Sequence, residues 1–282
     1  MPARFSLVLA TLDATPADLV RFLDSLLLQE YPHLDLIVVD QNPDDRLVAI
    51  VRGYRDRLDI MHLRSAPGLS RARNVGLGAI TGDLVAFPDD DCWYPAGLLA
   101  RVNERFSCES DWAGISGRVV DERGAPSAGK WDTRAGAITR FNVWNRGVSV
   151  SLFLRRAVLQ AVGDFDETLG AGAGTAWASG EETDYLLRAM KTGFHLQYQP
   201  DLGVGHPGTR YEGDDVRSKA YRYALGMGRV LRKHRYPLWF VLSVWLRTAA
   251  AGVRALVGGN LAKGRYGWAI LAGRIRGYLT AS

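Results

Sequence analysis

Three consecutive aspartates, Asp89-Asp90-Asp91, follow an apolar run at residues 84–88 that has the length of a buried strand. Adjacent carboxylates repel one another strongly unless a cation is bound. In an extended segment Asp89 and Asp91 point to the same side, so these two could share one ion. Hard oxygen ligands suit Mg²⁺ or Mn²⁺, which proteins often share with substrate phosphates. The alternative is an acidic turn that caps the following helix.

Two further polar residues follow predicted strands and would lie at the same edge of a sheet. Asp40 ends a strand at residues 36–39, and His206 follows a strand at residues 202–205. Ligands of open α/β sheets bind beyond the carboxyl ends of the strands. Asp40 is therefore a candidate ligand contact, and His206 a candidate contact for metal or phosphate. Each also has a structural alternative, as an ordinary strand-to-loop aspartate and as a solvent-facing histidine.

A basic segment at residues 68–74 offers Arg71 and Arg73. Guanidinium groups match the geometry of phosphate oxygens, so both side chains could meet a diphosphate. The alternative is a solvated basic helix face. The glycines at 76, 78 and 82 do not form the G-x-G-x-x-G pattern and follow a helix, which excludes a dinucleotide-binding fingerprint.

A second acidic group opens a predicted helix near residue 179. Ser179 and Glu182 fit the S-x-x-E capping box, which explains the pattern without any chemistry. One of the carboxylates could instead be a general base, which needs only hydrogen-bond reach of an acceptor hydroxyl. The glycine-rich loop at residues 170–180 could then shape an acceptor pocket.

Alternating strands and helices must position these residues. Apolar runs predict strands, and amphipathic or polar runs between them predict helices; the strands are 5–10, 36–39, 60–63, 84–87, 114–120 and 148–154, and helices include 44–57, 69–79 and 96–106. This alternation predicts a mostly parallel sheet with helices on both faces. A polar loop is expected at residues 121–138.

Six segments and the order in which they occur carry a family resemblance: VVDQN (38–42), GLSRARNVG (68–76), TGDLVAFPDDD (81–91), VGDFDE (162–167), SGEETDYLLR (179–188) and VGHP (204–207). Together they resemble the family 2 inverting glycosyltransferases of the GT-A fold, over roughly residues 4–210. The resemblance implies an α/β fold with a Rossmann-like, mostly parallel sheet. It also implies a nucleotide-sugar-binding half at 1–91 and an acceptor-binding half at 92–210. The basic, aromatic residues 211–282 are predicted from their composition to form a helical extension.

The resemblance further implies a nucleoside-diphosphate sugar donor, most often a UDP-sugar, a divalent metal (Mn²⁺ or Mg²⁺) and single-displacement transfer with inversion. The implied donor contacts are Thr11, Asp40, Arg71, Arg73, Asp89 and Asp90. The implied metal ligands are Asp89, Asp91 and His206. Glu182 matches the general base, which is commonly an aspartate in this family; Glu181 and Asp184 are the alternatives. Trp177 and Gly180 would lie on the acceptor side.

The Q-x-x-R-W motif of processive members is absent from the sequence, so we expect one sugar to be added per encounter. A sugar-nucleotide nucleotidyltransferase would need a glycine-rich, basic phosphate loop after the first strand, whereas residues 11–15 read TLDAT. A non-catalytic nucleotide-sugar-binding module is the other alternative, and the intact acidic cluster argues against it. A membrane-surface module whose acidic body does no chemistry is a further alternative.

Charge divides the chain unevenly. The formal net charge is +5, yet residues 216–282 contain thirteen Lys and Arg and no Asp or Glu. Basic residues interleaved with Trp and Tyr favour a helix that lies in an anionic membrane interface, and we expect no run apolar enough to span. A basic helix pair packed on the body, or a nucleic-acid patch, is the alternative; the acidic remainder disfavours nucleic acid.

The predicted location is cytoplasmic and peripheral on the inner face of the cell membrane. Two cysteines and an N-terminus with no long apolar stretch fit a reducing compartment and predict no signal peptide. The expected acceptor is a glycan, or a polyprenyl-linked glycan presented at that surface.

Overall fold

The structure is a computed structural model that describes residues 2–127, 129–207 and 214–280. Within these residues one eight-stranded sheet comprises β1 (Phe5–Thr11), β2 (Leu34–Asp40), β3 (Asp59–Arg64), β4 (Leu84–Ala86), β5 (Trp112–Val120), β6 (Gly136–Ala137), β7 (Leu152–Arg155) and β8 (His195–Gly205). The α-helices are α1 (Pro16–Leu27), α2 (Val48–Tyr54), α3 (Leu69–Leu77), α4 (Leu98–Cys108), α5 (Val143–Arg146), α6 (Arg156–Val162), α7 (Glu181–Lys191), α8 (Asp214–Lys233), α9 (Leu238–Val257) and α10 (Leu261–Leu279).

The strand order is β3-β2-β1-β4-β7-β5-β8-β6. Strands β1 to β4 are mutually parallel and β5 pairs in parallel with β8, whereas β7 and β6 run antiparallel to their neighbours. The mostly parallel α/β sheet predicted from the sequence is therefore confirmed. Strand order reverses beside β1, whose neighbours are β2 and β4, so the ligand-binding switch point of such sheets lies there.

Local sequence explains why α1 begins where it does. Thr15 caps the helix by accepting a hydrogen bond from the backbone nitrogen of Asp18, and Pro16 occupies the first helical position. The apolar face of α1 packs into the core beside the sheet through fully buried side chains: Leu19, Phe22 and Leu23.

The structure differs from the sequence prediction at one helix, one strand and one loop. The helix expected at 44–57 spans only Val48–Tyr54, because the Arg64 guanidinium donates to the backbone oxygens of Asn42 and Asp44 and holds that stretch as a loop. The strand expected at 148–154 begins only at Leu152, after a 3-10 turn at Ser149–Ser151 whose buried Ser151 hydroxyl donates to the Gly117 backbone oxygen. The loop expected at 121–138 contains β6 at its end.

The described residues form two compact units. One comprises residues 2–127, 129–165 and 185–207 and contains the whole sheet. The other, which we call the C-terminal helical unit, comprises residues 166–184 and 214–280. Residues 166–184, expected in the acceptor half, thus group with the C-terminal helices. The predicted boundary between residues 210 and 211 lies outside the described residues, and the predicted division stays a prediction.

The C-terminal helices pack through glycine. A Cβ atom added to Gly273 or Gly277 of α10 would overlap backbone oxygens of α8, so these positions allow the two helices a close approach. Helix α9 is a single 20-residue helix despite containing Arg247 and Arg254. The expectation that the tail has no segment able to span a membrane is wrong, because α9 qualifies by length and composition alone.

A pair of glycine substitutions tests the sheet packing. A Cβ atom at Gly117 of β5 would overlap the backbone oxygen of Leu202 in β8, and backbone cannot swing aside as a side chain can. We expect Gly117→Ala to lower the free energy of unfolding by about 1–3 kcal/mol. The control Gly53→Ala, in α2 with nothing within 4 Å of the added atom, should raise it by about 1 kcal/mol. Chemical denaturation measures both; equal stability of the two variants would contradict the packing.

Candidate active site

The acidic cluster predicted from the sequence lies beyond the carboxyl end of β4. Asp89 and Asp91 meet His206, which follows β8, and one ligand atom from each of the three lies within 4.8 Å of the others. The Asp91 Oδ1 atom is 3.1 Å from His206 Nε2. The structure therefore brings together all three residues that the resemblance implied as metal ligands.

A short backbone bridge brings these distant segments together. Trp93 and Gly205 exchange two hydrogen bonds, each 2.9 Å from nitrogen to oxygen, so Asp91 and His206 are adjacent. Gly205 is required here because a Cβ atom would overlap the Trp93 indole ring. The Arg21 guanidinium covers that ring at 4.2 Å and donates to the Asp91 backbone oxygen at 3.0 Å.

Burial and charge set the protonation behaviour of the cluster. Burial raises the pKa of Asp90 to about 6, against a smaller opposing effect of Thr11 and with further increases from Asp89 and Asp91. Burial also disfavours the charged forms of Asp91 and His206, but their mutual attraction outweighs it. The pKa of Asp91 is therefore lowered and that of His206 raised.

The cluster fits a divalent cation. His206 Nδ1 lies 2.7 Å from the Pro207 backbone oxygen, a contact in which the ring nitrogen donates. The same geometry turns Nε2 toward the carboxylates, as a metal-ligating histidine requires. Two carboxylates and one imidazole are a suitable donor set for Mn²⁺, and the carboxylates also suit Mg²⁺.

Thr11 and Asp40 are paired residues at the ends of β1 and β2. Asp40 is fully buried, and its carboxylate accepts hydrogen bonds from the backbone and side-chain amides of Asn42. His62 and Arg64 lie 3.1 and 3.2 Å from its other oxygen. Asp40 therefore fixes the loop beside Thr11, and this network leaves it little freedom to rearrange.

The two candidate arginines occupy different environments. Arg73 is 1% exposed, lies 3.6 Å from the Asp89 carboxylate and is flanked by the rings of Phe87 and Phe165. Arg71 is exposed, and its guanidinium donates to the Pro67 backbone oxygen. The structure thus places Arg73 beside the acidic cluster and Arg71 at the surface.

The second acidic group begins α7, and its first turn belongs to the C-terminal helical unit. Glu181 and Asp184 are buried, whereas Glu182 is half-buried. In that unit the Asp184 carboxylate contacts His234 Nε2 at 2.8 Å and Lys233 Nζ at 2.6 Å. Asp184 thus joins the start of α7 to the end of α8, while Glu182 is the most accessible of the three.

The loop before α7 also packs on α8. Ser179 donates its hydroxyl to the Tyr223 backbone oxygen at 2.7 Å, and the Arg229 guanidinium lies 4.4 Å from the Trp177 ring centroid. Gly180 has φ +94° and is buried against Val230, a conformation and a spacing that both favour glycine. Trp177 and Gly180, the predicted acceptor-side residues, therefore both pack against α8.

A family model described as "Glycosyl transferase family 2" matches residues 6–157, which is more than half of the chain. The chain belongs to glycosyltransferase family 2. It is accordingly a glycosyltransferase enzyme, as the resemblance of its motifs implied. The matched region includes β1 from its second residue, the strands β2 to β4, the three aspartates at 89–91 and both candidate arginines, but not His206.

Similar proteins agree with this family. The chain is 26% identical over 234 residues to glycosyltransferase AglE of Haloferax volcanii, covering 79% of this chain and 74% of AglE. The structure resembles that of a mannosyltransferase, PcManGT from Pyrobaculum calidifontis, described in complex with GDP-Man and Mn²⁺ (TM-score 0.67, 15% identity, 100% and 89% covered). It also resembles the structure of S. aureus TarS (TM-score 0.61, 18% identity). That match covers 95% of this chain but only 55% of TarS. Both structures share the GT-A-like fold.

Several residues that support one or the other candidate group are not predicted from the sequence. Gln41 accepts a hydrogen bond from the Gly68 backbone nitrogen and so fixes the start of α3, and Arg21 braces the Asp91 backbone from α1. Lys233 and His234 reach a carboxylate about fifty positions earlier in the chain. Each acts through contacts between distant segments, for which no local spacing gives a signal.

Substitution of Gly205 tests the bridge that assembles the cluster. The added methyl group in Gly205→Ala would displace the Trp93 indole and separate Asp91 from His206, so we expect about 10–100-fold weaker Mn²⁺ binding. Gly203→Ala is the control on the same strand, because its added atom meets only Val120 side-chain atoms, at 3.2 Å or more. Isothermal titration measures both. Wild-type affinity in Gly205→Ala would contradict the role of the bridge.

Asp184→Asn tests the buried ion pair. Removing the charge leaves Lys233 and His234 without their carboxylate, so we expect a loss of about 3 kcal/mol in the free energy of unfolding. The control Asp201→Asn breaks an exposed pair with Arg105 and should cost about 0.5 kcal/mol or less. Urea denaturation compares the two. Equal, small losses would show that Asp184 is not a structural anchor.

Proposed function

We propose that this chain is an inverting, metal-dependent glycosyltransferase that moves one sugar from a nucleoside-diphosphate sugar to a hydroxyl of a glycan or lipid-linked acceptor. The observation that carries this proposal is the cluster of Asp89, Asp91 and His206 beyond β4, beside the buried guanidinium of Arg73. A sheet edge that combines metal-ligand carboxylates with an arginine suits a diphosphate, whose charge grows as it departs.

The residues on the sheet side would bind the donor. Asp89, Asp91 and His206 would hold a divalent ion, Mn²⁺ or Mg²⁺, whose charge stabilises the departing diphosphate. Thr11 and Asp40 would define the nucleoside pocket, with Asp90 beside them. GDP-Man in the PcManGT structure and UDP-GlcNAc in a TarS structure support a nucleoside-diphosphate sugar as the donor class. Among these we propose a UDP-sugar.

Glu182 is the proposed general base. It is half-buried, whereas Asp184 is fully buried against Lys233 and His234 and Glu181 is 5% exposed. A base must reach the acceptor hydroxyl, so accessibility favours Glu182 over the other two. It would take the hydroxyl proton while the acceptor oxygen bonds to the anomeric carbon and the bond from that carbon to the diphosphate breaks.

The proposed setting is glycan synthesis at the cytoplasmic face of the cell membrane. The excess of thirteen basic residues over none acidic in residues 216–282 supports an anionic surface as partner. A polyprenyl-linked acceptor would be presented at that surface, and the protein would be peripheral there. Nucleic acid is not proposed as a partner.

A thermal-shift screen tests the donor site. Purified protein is heated with UDP, GDP, CMP or dTDP, each with Mn²⁺ or with EDTA. At 100 times the dissociation constant a ligand adds about 2.7 kcal/mol of stability, so we expect a clear, metal-dependent shift with one nucleoside diphosphate. Asp91→Ala should abolish it, whereas Asp111→Ala, an exposed aspartate before β5, should not. A well-folded protein with no shift in any condition would contradict the proposed site.

Kinetics of Glu182→Gln test the base. Loss of general-base catalysis should lower kcat by about 10²–10⁴-fold while the nucleotide-dependent thermal shift remains. Glu181→Gln is the matched control and should lower kcat much less. Turnover of Glu182→Gln close to wild type would exclude Glu182 as the base. Intact donor binding with no turnover in the wild-type protein would instead favour a non-catalytic binding module.

A further inference from the structure

Helix α9 presents two contrasting faces. Its inner face is buried within the C-terminal helical unit, through Phe240, Val241, Val244, Thr248 and Gly252. Its outer face is apolar and exposed along the whole helix: Leu238, Leu242, Leu246, Val253 and Val257 are 66%, 50%, 69%, 47% and 85% exposed. These positions recur every three or four residues, apart from the gap that exposed Ala250 fills, so they form one stripe about 28 Å long. We call this set the α9 stripe.

Charge at the border of the α9 stripe identifies its partner. Arg247 and Arg254 are both exposed and lie two turns apart along one side of the stripe. No acidic residue occurs anywhere in residues 216–282 to neutralise them. Trp239, 62% exposed, lies at one end, as aromatic residues do at the boundary between lipid headgroups and acyl chains. An apolar stripe with basic and aromatic borders matches an anionic lipid surface.

A second copy of the chain fits the α9 stripe less well. A two-fold contact with the two α9 helices antiparallel would bring the same basic border of both copies together. With no carboxylate in residues 216–282, that contact would oppose like charges while burying the leucines. Phosphate headgroups reverse the sign of this interaction, because each arginine then meets an anion.

The packing of α10 shows how α9 would lie. Gly252 of α9 and Gly267 of α10 approach closely, since a Cβ atom at Gly267 would be 3.1 Å from the Gly252 Cα. Helix α10 carries four basic residues: Lys263, Arg265, Arg274 and Arg276. A spanning α9 would either take these charges into the hydrocarbon, at a large cost, or separate from α10. The packed arrangement therefore favours α9 lying along the surface.

We infer that the α9 stripe is a bilayer-contact surface, by which α9 lies parallel to an anionic membrane with its leucines among the acyl chains and Arg247 and Arg254 at the phosphates. The inference rests on the membrane partner of the proposed function and specifies which face meets it. Every residue of the α9 stripe is on α9, and none is among the proposed donor-binding residues. Membrane contact and donor binding can therefore be tested separately.

Vesicle flotation of the full chain tests the inference. Vesicles of phosphatidylcholine alone are compared with vesicles in which about one third of the lipid is phosphatidylglycerol. We expect flotation with the anionic vesicles. The double variant Leu242→Gln/Leu246→Gln should bind them about tenfold or more weakly. Leu28→Gln, which replaces a leucine that is 63% exposed at the end of α1, is the matched control and should bind as wild type does.

Charge and oligomeric state complete the test. Arg247→Gln/Arg254→Gln should reduce the preference for anionic over neutral vesicles and the sensitivity of binding to salt. Wild-type protein that ignores anionic vesicles overturns the inference, as does a dimer that Leu242→Gln/Leu246→Gln converts to monomer without any vesicle binding. The nucleotide-dependent thermal shift, measured without vesicles, separates the two proposals. It should be unchanged in both double variants, and its absence in vesicle-binding protein would contradict only the proposed function.

Discussion

Mutual repulsion among the carboxylates at the end of β4 is the constraint on which the site depends. Three aspartates are held at one sheet edge, and Asp91 is fixed to His206 by the two hydrogen bonds between Trp93 and Gly205. Burial raises the pKa of Asp90 to about 6, and the charges of Asp89 and Asp91 add to this increase. A protein can maintain such a cluster because the sheet core supplies the stability and a bound cation removes the repulsion. The parallel strands place the aspartates at this edge of the sheet, and Gly205 allows the close contact with Trp93 that holds Asp91 beside His206.

A second buried charge organises the C-terminal helical unit. Asp184 has no exposed surface, and a lone carboxylate there would be costly. Lys233 neutralises it, and His234 contacts the same carboxylate. Lys233 also pairs with Asp166, so the two ends of segment 166–184 are both joined to the end of α8. Hydrogen bonds from Lys233 and Thr168 lower the pKa of Asp166 although its burial acts in the opposite direction. The segment that carries Glu182 is thus part of the C-terminal helical unit. The contacts with α8 therefore help to hold the segment on which the proposed base lies.

Sequence reasoning succeeded where a pattern is local and failed where contacts join distant segments. The alternation of apolar runs with helical segments predicted the sheet, and three aspartates after a strand predicted the acidic cluster. The start of α2 could not be predicted, because Arg64 holds residues 42–45 from another strand. The roles of Lys233 and His234 were missed for the same reason. Arg247 and Arg254 interrupt the apolar run in the sequence, whereas the helix continues through both, so the run alone understates the length of α9.

Two basic residues of the tail, Lys233 and Arg247, have different physical roles. Lys233 pairs with the buried Asp184 carboxylate and the half-buried Asp166 carboxylate, and its charge therefore serves the fold. Arg247 donates to the backbone oxygen and hydroxyl of Ser243 one turn earlier in its own helix, and its charge stays near solvent. Residues 216–282 contain no Asp or Glu, so neither α9 nor α10 supplies an acidic partner for Arg247 and Arg254. Arg247 and Arg254 therefore place positive charge directly beside the α9 stripe. A uniform basic surface would attract any polyanion, whereas this arrangement selects one that offers apolar chains beneath its charges.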